Sequence, residues 1–165
     1  MEKLKVELSV ADAAFAGAVD AGSLIRESAA KCGIDVKVVR EAEDAYWDNV
    51  WLKKPWCASY WSGRATADWM FTTAYAADAA WNESYWKNPK FNELLTQARA
   101  ETDEAKRAQM YAEMQQLVHD DSGAIVIVFN NFVSAKSKKL SHGDISPNWE
   151  NDGLKIAERW WIAES

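Results

Sequence analysis

The sequence predicts an α/β fold built on a mixed, mainly parallel sheet. Two period-two apolar rows predict it, Leu4, Val6, Leu8 and Val10 and then Ile34, Val36 and Val38, with a helical stretch between them that closes on Gly33. Strand, helix and strand within about forty residues make a βαβ unit, whose crossover is right-handed and whose strands run parallel.

Lys3, Lys5, Glu7 and Ser9 alternate with the first apolar row, which turns one face of strand one to a core. Ser23 is expected to cap the first helix; Leu24, Ile25, Ser28, Ala29 and Cys32 share a stripe, and Gly33 supplies the left-handed C-terminal residue. Asp44 caps a short helix bearing Trp47, Val50 and Trp51. Pro55 then breaks the pattern, and residues 57–61 are apolar enough for a buried third strand. The loop 62–67 follows, with a helical turn or two over 69–75.

Asn88 and Pro89 form an N-cap followed by proline in the first helical position, and Phe91, Leu94, Leu95 and Ala98 mark that helix's buried face. Thr102, Asp103 and Glu104 begin the next helix, whose apolar stripe is Met110, Tyr111, Met114, Leu117 and Val118. The β-branched and aromatic run 125–129 reads as a buried strand, continued by 132–135. Over 141–165 periodicity fades, leaving Trp149, Trp160 and Trp161 in a tail that covers the domain or packs on a partner.

The chain has 165 residues and a net charge of −6, so phosphate backbones and anionic bilayers repel it on average, and nucleic acid is not an expected partner. No window is apolar enough to span a membrane. Met1-Glu2-Lys3-Leu4-Lys5 opens directly into the strand alternation, so no signal peptide is expected in this chain. Cys32 and Cys57 have no zinc spacing and read as small buried apolar residues, with a bridge only in an oxidising compartment. Ten tryptophans against five tyrosines and five phenylalanines point to a pocket or a large interface.

Phosphate loops, nucleophile elbows and zinc motifs are absent, which lowers the expectation of an enzyme. His119-Asp120-Asp121 reads as a solvated helix end, and His142 and the lysines 136, 138 and 139 as exposed loop residues. The candidate ligand-binding residues are Trp61, Ser62, Gly63, Arg64, Asp68 and Trp69. They leave a predicted parallel strand at its carboxyl end, where open α/β sheets bind ligands. Gly63 gives backbone access, Arg64 a fork for a carboxylate, Asp68 an acceptor for an amine or hydroxyl, and the two indoles apolar walls.

With this loop, Trp81-Asn82-Glu83-Ser84-Tyr85-Trp86-Lys87-Asn88, Phe91-Asn92-Glu93-Leu94-Leu95-Thr96-Gln97-Ala98 and the helix Arg107-Ala108-Gln109-Met110-Tyr111-Ala112-Glu113-Met114-Gln115-Gln116-Leu117-Val118, the sequence resembles the extracytoplasmic solute-binding proteins of bacterial peptide-type ABC importers, the dipeptide, oligopeptide and nickel group. The resemblance runs through nearly the whole chain but covers only the C-terminal portion of the family. It implies a three-layer lobe of the type II periplasmic-binding-protein fold. Residues 1–140 would be the C-terminal solute-binding lobe of a longer protein, and 141–165 a tail that returns toward the other lobe. It also implies a periplasmic or otherwise extracytoplasmic protein without cofactor, metal or catalysis. Its partners would be a small solute such as a peptide and a membrane permease, and the fragment would tend to self-associate. One departure stands out: members of this type carry an acidic residue after the loop tryptophan, whereas this sequence has Arg64, with Asp68 four residues on. An anionic or sugar-acid-like solute, or a peptide in another register, is the expectation that follows. The alternatives are a small hydrolase using Asp68, Glu83 and His119, or an interaction module built on the Trp-rich tail.

Overall fold

A computed structural model describes residues 4–147 and 149–163 of the chain. Met1 to Lys3, the start of the first alternation, lie outside the described residues, as do Asn148, Glu164 and Ser165 of the tail. The chain divides into two compact units, Met1–Trp61 and Ser62–Ser165.

In the first unit β1 (Leu4–Val10) and β2 (Ile34–Arg40) pair in parallel, with Val6 opposite Val36 and Leu8 opposite Val38. This register aligns the two apolar rows on one face, where Leu8, Val10 and Val36 are buried and α1 (Ala18–Lys31) contributes Val19, Ile25 and Ala29. Leu4, at the end of its row, is exposed. On the opposite face the register sets Lys37 against Glu7, with Nζ to Oε1 at 2.6 Å. Helix α1 is capped six residues before the expected cap, at Gly17, whose φ of 87° is open to glycine; the Ser23 hydroxyl instead donates to the Val19 carbonyl inside the helix. The buried side of α1 is therefore Ala18 and Gly22, while Leu24 and Cys32, assigned to the stripe, are exposed. Gly33, at φ 80°, closes the helix as expected.

Helix α2 (Tyr46–Asn49) is preceded by Ala45 with no side-chain cap, so Asp44 does not play the expected role. Tyr46, fully buried, takes over the organisation of this region: its hydroxyl donates to the Ala58 carbonyl at 2.7 Å and to the Ser9 carbonyl at 3.2 Å. The expected third strand is thereby reduced to one parallel bridge between Ser9 and Cys57. The Ala58 N–H reaches Ser9, but its carbonyl is spent on a side chain and the ladder stops.

The second unit is helical where its core lies. Helices α3 (Ala67–Ala74), α4 (Pro89–Ala100) and α5 (Glu104–Asp121) bury Phe71, Phe91, Leu94, Leu95, Ala98, Met114 and Val118, with Phe71 and Trp86 both set edgewise against Phe91. Met110, Tyr111 and Leu117 complete the stripe predicted for α5 as partly buried neighbours. Asn88 Oδ1 accepts from the Phe91 N–H, and Asp103 Oδ1 accepts from the N–H groups of Ala105 and Lys106, as the cap signals predict. Buried Asn82 secures the connection between α3 and α4 by donating to the carbonyls of Ala76 and Trp86.

Residues 125–129 and 132–135 form no strand, and their large apolar side chains are exposed rather than buried. Among the described residues no ladder reaches them, so an apolar sequence alone does not build a core strand here. The tail folds on itself: β3 (Leu140–His142) pairs antiparallel with β4 (Trp160–Ile162), and α6 (Glu150–Leu154) and α7 (Ile156–Arg159) lie between them. From Asn151 to Leu154 four successive residues take left-handed φ values of 54° to 69°. That strained turn carries the buried Asp152, which accepts from the Ser146 N–H at 2.7 Å and the Trp160 Nε1–H at 3.0 Å and forms an ion pair with Arg159, whose Nε lies 3.1 Å away. His142, expected in an exposed loop, sits in β3 with its ring 4.7 Å from that of Trp160. Two two-stranded sheets, one parallel and one antiparallel, thus stand where a three-layer lobe with a mainly parallel sheet was expected.

Candidate functional site

The predicted loop is built from its own short-range chemistry. Thr66 caps α3 by accepting from the Trp69 N–H, which fixes where the indole of Trp69 leaves the helix. Arg64 folds back on its loop, Nη1 donating to the Ser62 carbonyl at 2.9 Å, the Ser62 hydroxyl at 3.0 Å and the Gly63 carbonyl at 3.2 Å. Its guanidinium carbon stands 5.5 Å from the centre of the Trp69 ring, within cation–π range, and Trp69 is half exposed. Ser62, Gly63, Arg64 and Trp69 are therefore brought together.

Asp68 is directed elsewhere. Its two oxygens accept from Arg99 Nε at 2.7 Å and Arg99 Nη2 at 3.1 Å, a two-point fork, and Oδ1 also accepts from the Tyr111 hydroxyl at 3.2 Å. Arg99 reaches Thr72 Oγ1 as well. Asp68 thus joins α3 to α4 and α5. Its hydrogen bond holds Arg99 in the charged form, while burial and then the Asp68 charge push the Tyr111 hydroxyl above its ordinary value, so the phenol remains a donor. Arg99 and Tyr111 were missed by the sequence reading because each looked like an ordinary helix residue.

Trp61 is half buried and belongs to the first unit. That unit has an aromatic cluster of its own: Trp47 meets Tyr46, Trp51 and Tyr60 edgewise at 5.5 to 6.1 Å, with Trp47 and Tyr60 exposed. The alternation of tryptophan with polar residues over 46–51 was the available signal.

The hydrolase arrangement is not assembled by its acid and its histidine. Asp68 is occupied by Arg99 and Tyr111, and His119 pairs with Asp120 at the exposed end of α5. In the tail, Trp149 and Trp160 are partly buried and Trp161 is half exposed, so the three do not form one exposed patch. No disulfide joins Cys32 and Cys57. Among the described residues no group of three His, Cys, Asp or Glu could hold a metal ion, and no helix is long and apolar enough to cross a membrane.

No family model matches the chain. Solved structures share the α/β fold of type II periplasmic binding proteins: the peptide-bound DppA of Helicobacter pylori superposes with a TM-score of 0.60 at 25% identity, over 73% of this chain and 24% of that one. HbpA2 of Haemophilus parasuis gives 0.60 at 22% identity, over 73% of this chain and 25% of its own.

Among curated proteins, the glutathione-binding protein GsiB of Pectobacterium atrosepticum is 31% identical over 86 residues, half of this chain and 17% of its own length. The periplasmic oligopeptide-binding protein OppA of Escherichia coli is 23% identical over 74% of this chain and 22% of its own length. The chain spans less than a quarter of these two relatives. The chain is similar to a partial, C-terminal region of peptide- and nickel-type ABC solute-binding proteins, which are binding proteins rather than enzymes.

Proposed function

We propose that this chain is the C-terminal lobe of an extracytoplasmic solute-binding protein that delivers a peptide or peptide-like solute to an ABC importer permease. The observation that carries the reading is a fold shared with a peptide-bound binding protein at 25% identity, in a chain that holds a guanidinium over a half-exposed indole. In this reading Ser62 and Gly63 hold Arg64, Arg64 and Trp69 meet the solute, and Asp68 anchors the helix that carries Trp69. Trp61 is a separate candidate wall in the first unit. Residues 1–140 act as the lobe, 141–165 as a tail returning toward its counterpart, and the longer protein works in the periplasm.

An indole face offers apolar contact at little entropic cost, and a guanidinium fork selects a carboxylate. An anionic peptide suits both. The name of the glutathione-binding relative supports this, since glutathione is a peptide with net negative charge at neutral pH. Solute would favour a closed two-lobe state only through contacts made there and not in the open state.

Calorimetric titration of the full-length protein with glutathione, dipeptides and longer peptides tests the reading. Arg64→Ala is expected to weaken anionic peptides by about tenfold to a hundredfold, the range of a lost charged hydrogen bond, and neutral ones less. If Arg64→Ala binds every peptide as tightly as wild type, the role of Arg64 is wrong. If no peptide binds the wild type, so is the solute class.

A further inference from the structure

The acid closest in sequence to Arg64 is Asp68. It stands four residues on, beside Trp69, whose ring centre lies 5.5 Å from the Arg64 guanidinium. A carboxylate tethered by so short a stretch meets a guanidinium at an effective concentration of roughly millimolar or more, enough to displace a dilute solute carboxylate. In the structure Asp68 turns the other way. Its ion partner among the described residues is Arg99, from α4.

We propose that Arg99, supported by Tyr111, sets the preference of this site for an anionic solute by holding the Asp68 carboxylate away from Arg64. The inference rests on the reading of Arg64 and Trp69 as the solute-binding pair. Both Asp68 oxygens are taken by the Arg99 fork, and Oδ1 accepts from the Tyr111 hydroxyl as well. A planar guanidinium engages two carboxylate oxygens at once, where a lysine at this position would offer a single point charge. Thr72 backs the arrangement: its hydroxyl donates to the Asp68 carbonyl at 2.8 Å and accepts from Arg99.

The helix itself separates the two roles. Successive residues of an α-helix point about 100° apart, whereas residues four apart share a face. Asp68 and Thr72 therefore look together toward Arg99, while Trp69 leaves α3 on another side with Arg64 over its ring. Phe71, buried against Phe91 in the core, fixes the rotation of α3 that keeps them so. Arg99 and Tyr111 touch no solute in this reading; they are positioning residues that decide which charge Arg64 meets.

Arg99→Met releases Asp68 and keeps an unbranched stem. In calorimetry of the full-length protein with glutathione as the anionic probe, it should weaken binding by about twofold to fivefold, the scale of a partly exposed charge pair. A dipeptide of no net charge should be unaffected. Adding Asp68→Asn removes the released competitor and should return glutathione toward the wild-type affinity, a rescue that a merely structural role for Arg99 does not predict. A second readout needs no solute. In the 165-residue chain the Trp69 indole N–H resonance, assigned by its loss in Trp69→Phe, should shift in Arg99→Met as Arg64 leaves the ring, and move back when Asp68→Asn is added. A glutathione affinity unchanged in Arg99→Met, an equal loss for the neutral dipeptide, a loss that Asp68→Asn fails to reverse, or a Trp69 resonance that stays in place would each overturn the proposal. A wild type that binds neither probe defeats the solute reading instead, and the resonance then decides alone whether Arg99 holds Asp68 off Arg64.

Discussion

Asp68 and Arg99 meet in a two-point fork, Nε to Oδ1 at 2.7 Å and Nη2 to Oδ2 at 3.1 Å, across 31 residues of sequence. The Tyr111 hydroxyl joins on Oδ1, so one carboxylate at the start of α3 gathers α4 and α5. Because both partners are partly exposed, solvent screens much of the attraction. A double-mutant cycle of Asp68→Ala and Arg99→Ala by chemical denaturation should give a coupling of about 0.5–1 kcal/mol. A zero coupling would reduce the fork to a passive contact.

Phe91 and Phe129 separate by burial although both stand in apolar stretches. Phe91 is fully buried and in ring contact with Phe71 and Trp86; Phe129 is 92% exposed. Phe91→Ala should cost about 3–5 kcal/mol of unfolding free energy. Phe129→Ala, measured in dilute monomer, should change it by less than about 0.5 kcal/mol. Similar losses at the two sites would mean that the run 125–133 is covered after all.

Gly22 packs α1 tightly against Val10 and Val38 of the sheet. A Cβ there would lie 3.1 Å from Val10 Cγ1 and 3.2 Å from Val38 Cγ1. Gly22→Val should destabilise the first unit by about 1–3 kcal/mol through overpacking, read as an earlier denaturant midpoint. A neutral outcome would show that helix and sheet can part without cost.

Asp152 supplies a pH dependence. The Ser146 N–H holds its carboxyl below the ordinary aspartate value of 3.8, with the Trp160 indole N–H and Arg159 adding to the effect. The fold therefore favours the charged form. This stability is fully present above the ordinary value and is lost as pH falls through the lower folded one. Acid titration followed by the Trp160 indole N–H resonance should show β3 and β4 parting below about pH 4. Asp152→Asn should remove that transition.

How much was legible in the sequence follows from where the deciding contacts lie. The parallel pair was readable because its register is set by two alternating rows, and α4 and α5 because Asn88, Pro89 and Asp103 cap them locally. The start of α1 was not, since Gly17 caps without a side chain. The third strand and the run 125–129 were misplaced because a strand needs a neighbour, and neighbours are not written in the local pattern. In the site, the proximity of Ser62, Gly63, Arg64 and Trp69 was readable from adjacency and a helical cap. The diversion of Asp68 was not, since it depends on Arg99 and Tyr111 from distant helices.

Tyr46 has a consequence of a different kind. Its hydroxyl, by donating to the Ala58 carbonyl, occupies one acceptor on the segment that runs beside β1. Tyr46→Phe would keep the ring in its buried place and leave that carbonyl without its side-chain donor.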